Sequence, residues 1–172
     1  MKYSVLHFRN LLLMLCALAL AACGFHLRGA SDLAFKTLYI QKGGAPALAA
    51  ELTRSLKFNG ITVVIVPEQA ELQLDLMSET YQKRILSLSG GGKVSEYELI
   101  YNIIFRTRTS ATDPWGAPQT VEQRRDYSYD NTLLLAKEGE EARLNSDMRT
   151  DATREIIRRL SVLKPGQPSA AN

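Results

Sequence analysis

The stretch from Val94 to Thr109 places Tyr97, Leu99, Tyr101, Ile103 and Phe105 on every second residue, and this spacing narrows the possible folds more than any other feature of the chain. A period of two belongs to an extended strand, in which alternate side chains share a face. Five large apolar or aromatic residues on one face require a sheet with that face covered, while Ile100 and Ile104 lie on the other face. Upstream, Leu72, Leu74 and Leu76 alternate with Glu71, Gln73 and Asp75, and apolar residues continue at Tyr81, Ile85, Leu86 and Leu88. Downstream, Val121 to Tyr129 read as a further strand, with Tyr127 and Tyr129 on one face. Gly90-Gly91-Gly92 and Asp113-Pro114-Trp115-Gly116 supply turns between these segments. Together they form an antiparallel meander.

A β-α-β unit precedes the meander. Lys36 to Gln41 read as a strand with Leu38 and Ile40 on one face and Tyr39 on the other, broken by Gly43 and Gly44. Pro46 suits the first position of a helix, where its missing N–H costs nothing. Leu48, Leu52 and Leu56 then recur at i, i+4 and i+8, and Gly60 suits the left-handed residue after a helix end. Ile61 to Val66 are rich in β-branched residues and read as a buried strand, parallel to the first because a helix joins them. After the meander, a helix is expected from about Glu138 or Glu140 to Leu163, with Leu144, Met148, Ala152, Ile156, Leu160 and Leu163 as its apolar stripe. Acidic residues lead this helix and arginines close it, as the helix dipole favours. The expected fold is α+β: a mixed, mostly antiparallel sheet with two helices packed on one face, in β-α-β-β-β-α order or with one further strand.

The N-terminus carries a different signal. Lys2 and Arg9 precede an uncharged apolar run from Leu11 to Leu20, followed by Ala21, Ala22 and Cys23. The run has the length of a signal-peptide core and is too short for a bilayer-spanning helix, which needs roughly 20 apolar residues. Leu20-Ala21-Ala22-Cys23 resembles the lipobox of bacterial lipoproteins, which makes Cys23 the lipid attachment point. The expected division is a signal peptide over 1–22, one periplasmic domain over 23–164 and a disordered tail over 165–172. Cys16 leaves with the signal and Cys23 becomes a thioether, so the mature domain has neither disulfide nor free thiol and rests on its core. Cleavage also removes Lys2 and Arg9 and no acid, leaving 19 basic against 18 acidic residues. So near-neutral a domain argues against a nucleic-acid partner.

Motifs that would carry catalysis or metal binding do not occur. His26 is the one histidine left after cleavage, and no H-E-x-x-H, C-x-x-C or Asp-rich calcium loop is present. Gly90-Gly91-Gly92-Lys93 lacks the spacing and the following Ser or Thr of a phosphate-binding loop, since Val94 comes next. Ser87-Leu88-Ser89-Gly90 makes no nucleophile elbow. Glu96 and Glu98, like Glu140 and Glu141, read as solvated faces. No enzyme activity, metal or cofactor is expected.

Cys23-Gly24-Phe25-His26-Leu27-Arg28 is similar to the start of the LptE family of lipopolysaccharide-assembly lipoproteins, where Gly and aromatic-His-Leu-Arg follow the acylated cysteine. Ser95-Glu96-Tyr97-Glu98-Leu99 resembles that family's Glu-Tyr strand start, and Asp130-Asn131 with Leu135-Ala136-Lys137 resembles the loop before its last helix. The resemblance implies a non-enzymatic protein lodged in the periplasmic end of the outer-membrane barrel LptD, which it plugs, helps to assemble, and serves in delivering lipopolysaccharide to the outer leaflet. It also implies lipid A phosphate contacts from basic residues. Lys137 matches the family's lysine before the last helix; at the glycine-rich turn the family's basic residue is missing and Lys93 is the nearest cation. The alternative is a periplasm-facing scaffold or lipid-transport accessory lipoprotein that does not bind lipopolysaccharide. An anchored hydrolase is a third class, for which His26 alone offers a poor base.

Gly24, next to Cys23, is not the aspartate associated with inner-membrane retention, so the expected location is the periplasmic side of the outer membrane. Cys23→Ala should leave an uncleaved or soluble form on membrane fractionation. A mature, outer-membrane-bound variant would refute the lipobox assignment.

Overall fold

The computed structural model describes residues 33–109 and 112–163. The signal peptide, Cys23 and the C-terminal tail lie outside the described residues. In chain order the elements are β1 (Thr37–Gln41), α1 (Pro46–Phe58), β2 (Thr62–Val64), β3 (Leu72–Leu88), β4 (Val94–Arg108), β5 (Gln119–Ser128) and α2 (Leu134–Ser161), with short 3-10 turns at Pro67–Gln69 and Asn131–Leu133. This is the expected β-α-β-β-β-α order. The strands form one sheet in the order β2-β1-β3-β4-β5. β1 runs parallel to both β2 and β3, and β3, β4 and β5 pair antiparallel.

One face of this sheet and both helices share a core. Leu38 and Ile40 of β1, Leu72, Leu74 and Leu76 of β3, and Leu99, Tyr101, Ile103 and Phe105 of β4 are buried against Leu48, Leu52 and Leu56 of α1 and Met148, Ala152, Ile156 and Leu160 of α2. The period-two and period-four patterns therefore meet as expected, and Leu144 and Leu163 pack at the margins. Thr150 on α2 donates to Glu51 on α1 at 2.8 Å, joining the helices across their middles. Gly60 adopts φ +80°, as a left-handed residue after α1.

The molecule has two distinct ends. At the base, the chain enters β1, α1 finishes, β3 starts and α2 closes, with Arg159 donating to the Thr120 carbonyl at 3.0 Å. At the tip lie the β3–β4 hairpin and the start of α2. The Tyr129 N–H donates to the Ser95 carbonyl at 2.8 Å and ties the two together. β3, with 17 residues, reaches from base to tip over roughly 55 Å at ~3.3 Å per residue.

Three expectations are corrected. Ile61 to Val66 is not a buried strand: only Thr62–Val64 pair, they are exposed or half-buried, and Ile65 is 90% exposed. The segment is the sheet's edge, where β-branching satisfies strand geometry without burial. The C-terminal helix begins at Leu134, not near Glu138 or Glu140. Asp130 accepts from the Thr132 N–H at 2.9 Å and the Thr132 hydroxyl at 2.8 Å, opening a 3-10 turn that leads directly into α2. Glu98 is buried rather than solvated: Arg84 and Arg124 both pair with it on the helix-free face. The Arg84 guanidinium hydrogen bond holds its carboxyl below the usual range.

The strict alternation of β3 also breaks. Leu76 pairs with Phe105 and Ser78 with Ile104, leaving Met77 as an extra residue. Before this bulge the even-numbered residues face the helices; beyond it the odd ones do, since Glu79, Tyr81 and Lys83 oppose the core-facing Ile103, Tyr101 and Leu99. Gly43 approaches the same point, and a Cβ there would stand 2.0 Å from the Leu76 carbonyl oxygen. Its φ of +46° and this contact both exclude a side chain.

Ile156 is fully buried between the helices and the sheet. Ile156→Ala should lower stability by about 2–5 kcal/mol in chemical denaturation. A loss below roughly half a kcal/mol would mean that α2 is peripheral to the core.

Candidate functional site

The most site-like region lies at the tip, where the first turns of α2 pass over the core-side face of β3, β4 and β5. A cavity of about 550 Å³ opens there, lined by Lys83 and Tyr129 from the sheet side and by Leu134, Lys137, Glu138, Glu141, Ala142 and Asn145 of α2. Each lining residue follows from the local fold. The Met77 bulge turns Lys83 towards the helix, and the alternation of β5 and its continuation puts Tyr127 and Tyr129 on the same side.

Lys83 is the electrostatic centre of this region. Its ammonium lies 4.2 Å from the ring centre of Tyr97, 5.6 Å from Tyr127 and 5.8 Å from Tyr129. The rings also support one another: Tyr97 stacks on Tyr127 at 5.9 Å and meets Tyr129 edge-on at 5.0 Å. An ammonium over aromatic faces is attracted by their negative quadrupoles. Glu141 accepts from Lys83 at 2.6 Å and from the Tyr127 hydroxyl at 2.7 Å. Partial burial alone would lower the Lys83 pKa, but the Glu141 hydrogen bond and the Tyr127 hydroxyl outweigh it and raise it above the ordinary lysine range. Burial likewise opposes ionisation of Glu141, and the donors Lys83 and Tyr127 overcome it, leaving its pKa lowered. The pair is therefore charged at neutral pH. Glu141, read from sequence as part of a solvated face, is instead a half-buried anchor.

The two lysines singled out from sequence separate. Lys137 lines the cavity from the first turn of α2, donating to Glu140 at 2.9 Å and to the Ser128 hydroxyl at 3.2 Å, with 15% of its side chain exposed. Lys93 is fully on the outside, in the hairpin turn where its carbonyl accepts from the Ser89 N–H at 2.7 Å; it does not line the cavity. Both belong to the tip. Cys23 lies outside the described residues. Sequence reasoning missed Lys83, because its facing depends on the bulge. The tyrosine positions were legible, since Tyr97, Tyr127 and Tyr129 all fall on the core-side phase of their strands.

Apolar surface surrounds these charges. Leu133, Leu134 and Leu135 are 55%, 49% and 83% exposed, and Ile85, Leu86 and Leu88 on the distal part of β3 are also exposed. Leu133 to Ala136, in the stretch that resembles the loop before the family's last helix, are the end of the 3-10 turn and the opening of α2, so their leucines stand on a regular element. Among the described residues no cluster of His, Cys, Asp and Glu is suited to hold a metal. No helix among them is long and apolar enough to cross a membrane.

The LptE family, described as lipopolysaccharide-assembly, matches residues 35–160. The chain belongs to the LptE family. It is 30% identical over 156 residues to the LPS-assembly lipoprotein LptE of Photorhabdus laumondii, covering 88% of this chain and 84% of that one. Solved structures agree in fold. An uncharacterised lipoprotein B from Nitrosomonas europaea superposes with a TM-score of 0.69 at 31% identity, covering 80% of this chain and 90% of that one. The rare lipoprotein B of Shewanella oneidensis gives a TM-score of 0.63 at 27% identity, covering 73% and 93%. Membership makes this chain a lipoprotein of lipopolysaccharide assembly, and the tip region is where a member with this sequence gathers cations, aromatic rings and exposed leucines.

Glu141→Gln tests the electrostatic centre, since it keeps the shape and removes the charge. Because the Glu141 pKa is lowered below its ordinary 4.5 in the folded state, its contribution is full above that value and fades as pH falls through the lower, folded one. The variant should therefore be less stable than the wild type by up to about 1 kcal/mol at neutral pH. The gap should narrow as pH falls below 4.5 and close once the folded carboxyl is protonated. A gap that persists unchanged in acid would show that the carboxylate charge is not what holds Lys83.

Proposed function

We propose that this protein is the outer-membrane lipoprotein that plugs and supports assembly of the LptD barrel and helps deliver lipopolysaccharide to the outer leaflet, without enzymatic activity. The observation that carries the reading is the composition of the tip. A cavity bordered by Lys83 and Lys137 adjoins the exposed leucines of the α2 start, with Lys93 on the neighbouring hairpin. Lipid A presents phosphates and acyl chains together, and a surface that offers ammonium donors beside fixed apolar side chains matches both halves of such an amphiphile. Lys137 is the better-placed of the two sequence-derived cations, because its helix fixes it beside Leu134; Lys93 supplies an exposed outer charge.

The reading extends to shape. A tapering β3–β4 hairpin and a 28-residue helix project away from the base, giving a long, narrow body of the kind that fits into a barrel lumen. A periplasmic scaffold that never meets lipopolysaccharide would have no need of the cation-and-leucine tip.

Binding to immobilised lipopolysaccharide tests the assignment. A single exposed charge contact contributes roughly 0–1 kcal/mol, so Lys93→Asp or Lys137→Asp alone should weaken binding only a few-fold. The double variant should lose much more through added repulsion, and the difference should shrink at high salt. Unchanged binding by a folded double variant would remove both lysines from the site. Pull-down from detergent-solubilised outer membranes tests the barrel partner separately, and recovery without any barrel protein would overturn the plug.

A further inference from the structure

Lys83 and Tyr127 both donate to the same oxygen of Glu141. The ammonium lies 2.6 Å and the phenol 2.7 Å from Oε2. Two donors that converge on one oxygen make a seat for an anion, and the chain's own carboxylate fills it. The seat opens on the tip cavity, which Lys83 and Glu141 both line.

Three observations set this seat apart from an ordinary ion pair. First, the cation does not depend on the carboxylate for its position. The rings of Tyr97, Tyr127 and Tyr129 hold the Lys83 ammonium at 4.2, 5.6 and 5.8 Å, and they are themselves fixed by mutual stacking on paired strands. Second, the carboxylate can leave. The side chains of Lys83 and Glu141 are 35% and 27% exposed, so solvent reaches both, and an unbranched glutamate can turn outward from the surface of α2. Third, the cavity wall is self-neutralised. Lys83 and Lys137 are matched there by Glu138 and Glu141, and Lys137 is held by Glu140 at 2.9 Å. The wall draws an anion strongly only as a carboxylate moves away.

A phosphate monoester is the stronger occupant of such a seat. At neutral pH it carries about −1.5 to −2 charge on three strong acceptor oxygens, whereas a carboxylate offers a single charge on two. It can take the Lys83 and Tyr127 donors together and keep an oxygen for a further cation such as Lys137, which lines the same cavity. A ligand without phosphate has nothing to offer in exchange for Glu141.

We propose that Lys83 and Tyr127 form a phosphate seat for lipid A and that Glu141 is its built-in competitor, exchanged for the phosphate when the lipid binds. The inference rests on the lipopolysaccharide reading of the tip and deepens it by naming the seat and the group that guards it. The exchange keeps an anion on Lys83 throughout, so the cation between sheet and helix is never left unpaired. The guard also confers selectivity, because only a phosphorylated glycolipid displaces it.

The test uses the purified full-length protein and immobilised lipid A, in its bisphosphorylated form and after phosphatase removal of both phosphates. Glu141→Gln should bind the bisphosphorylated form up to about fivefold more tightly than the wild type and gain nothing on the dephosphorylated one. A purely structural pin would give the opposite sign, since the same change loosens the fold. Glu138→Gln removes the same charge from the same cavity wall outside the seat, and its gain should be smaller. Tyr127→Phe keeps the ring and removes one donor, and should weaken binding a few-fold, while Lys83→Met should weaken it roughly tenfold. Near-ultraviolet circular dichroism checks that each variant keeps its tyrosine packing. Equal or weaker binding by Glu141→Gln, an equal gain from Glu138→Gln, or a gain that persists on dephosphorylated lipid would overturn the competitor. Unchanged binding by folded Tyr127→Phe and Lys83→Met would overturn the seat. A wild type that binds neither form overturns the lipopolysaccharide reading and the seat with it, whereas a wild type that binds the phosphorylated form without the Glu141→Gln gain overturns this inference alone.

Discussion

The extra residue at Met77 decides which side chains of β3 meet the helices. One residue of slippage in a strand exchanges its two faces. Without it, Thr80 and Gln82 would lie under α2, and Tyr81 and Lys83 would point to the open side. The bulge coincides with the close approach of Gly43 to the Leu76 carbonyl and with the end of pairing between β1 and β3 at Asp75. Below this level β2, β1, β3 and β4 lie side by side over an apolar core. Above it three strands continue, and their helix-facing residues include Glu79, Tyr81 and Lys83. A single irregularity thus separates a stabilising half from a half built of polar and aromatic groups.

The distal half satisfies those groups by pairing rather than exposure. Tyr101 is fully buried and donates to Glu79 at 2.8 Å, and Arg149 of α2 donates to the Tyr81 hydroxyl at 2.7 Å. Tyr81 stacks on Tyr101 at 4.4 Å. The Lys83–Glu141 pair repeats the scheme one layer nearer the tip. Buried polar groups cost stability unless each finds a partner, so α2 is fixed along its length by a ladder of specific contacts that sliding would break. The exposed leucines at its start are held in place by the same ladder.

Much of this was legible from residue spacing. The β-α-β unit, the long core strand through Tyr101 and the apolar stripe of α2 all follow from periodicity, because each buries one continuous face. Two kinds of feature were not. Local chemistry overrode the apparent boundary of α2, where Asp130 starts a turn that the leucine run and Gly139 conceal. Long-range pairing set the rest: nothing within Leu72 to Leu88 shows that Met77 has no partner, and Ile61 to Val66 cannot show that its strand stands at an edge. For the candidate site, Lys137 was accessible through its position at a helix start. Lys83 was hidden because its facing depends on a register formed with β4.

On the helix-free face, the segment after β4 folds back so that the Gly116 N–H donates to the Thr107 carbonyl at 2.9 Å. This lays Trp115 over Arg106 and Arg108, at 4.9 and 4.3 Å from its ring. The arginines in turn bind Asp75 at 2.9 Å and Gln73 at 3.0 Å, covering two polar residues that would otherwise face water. Trp115 is the chain's single tryptophan; Tyr39 lies with it in the proximal sheet, while Tyr81, Tyr97, Tyr101, Tyr127 and Tyr129 lie nearer the tip. Tryptophan emission therefore reports the proximal sheet alone, and the loosening of that half can be followed without adding a label.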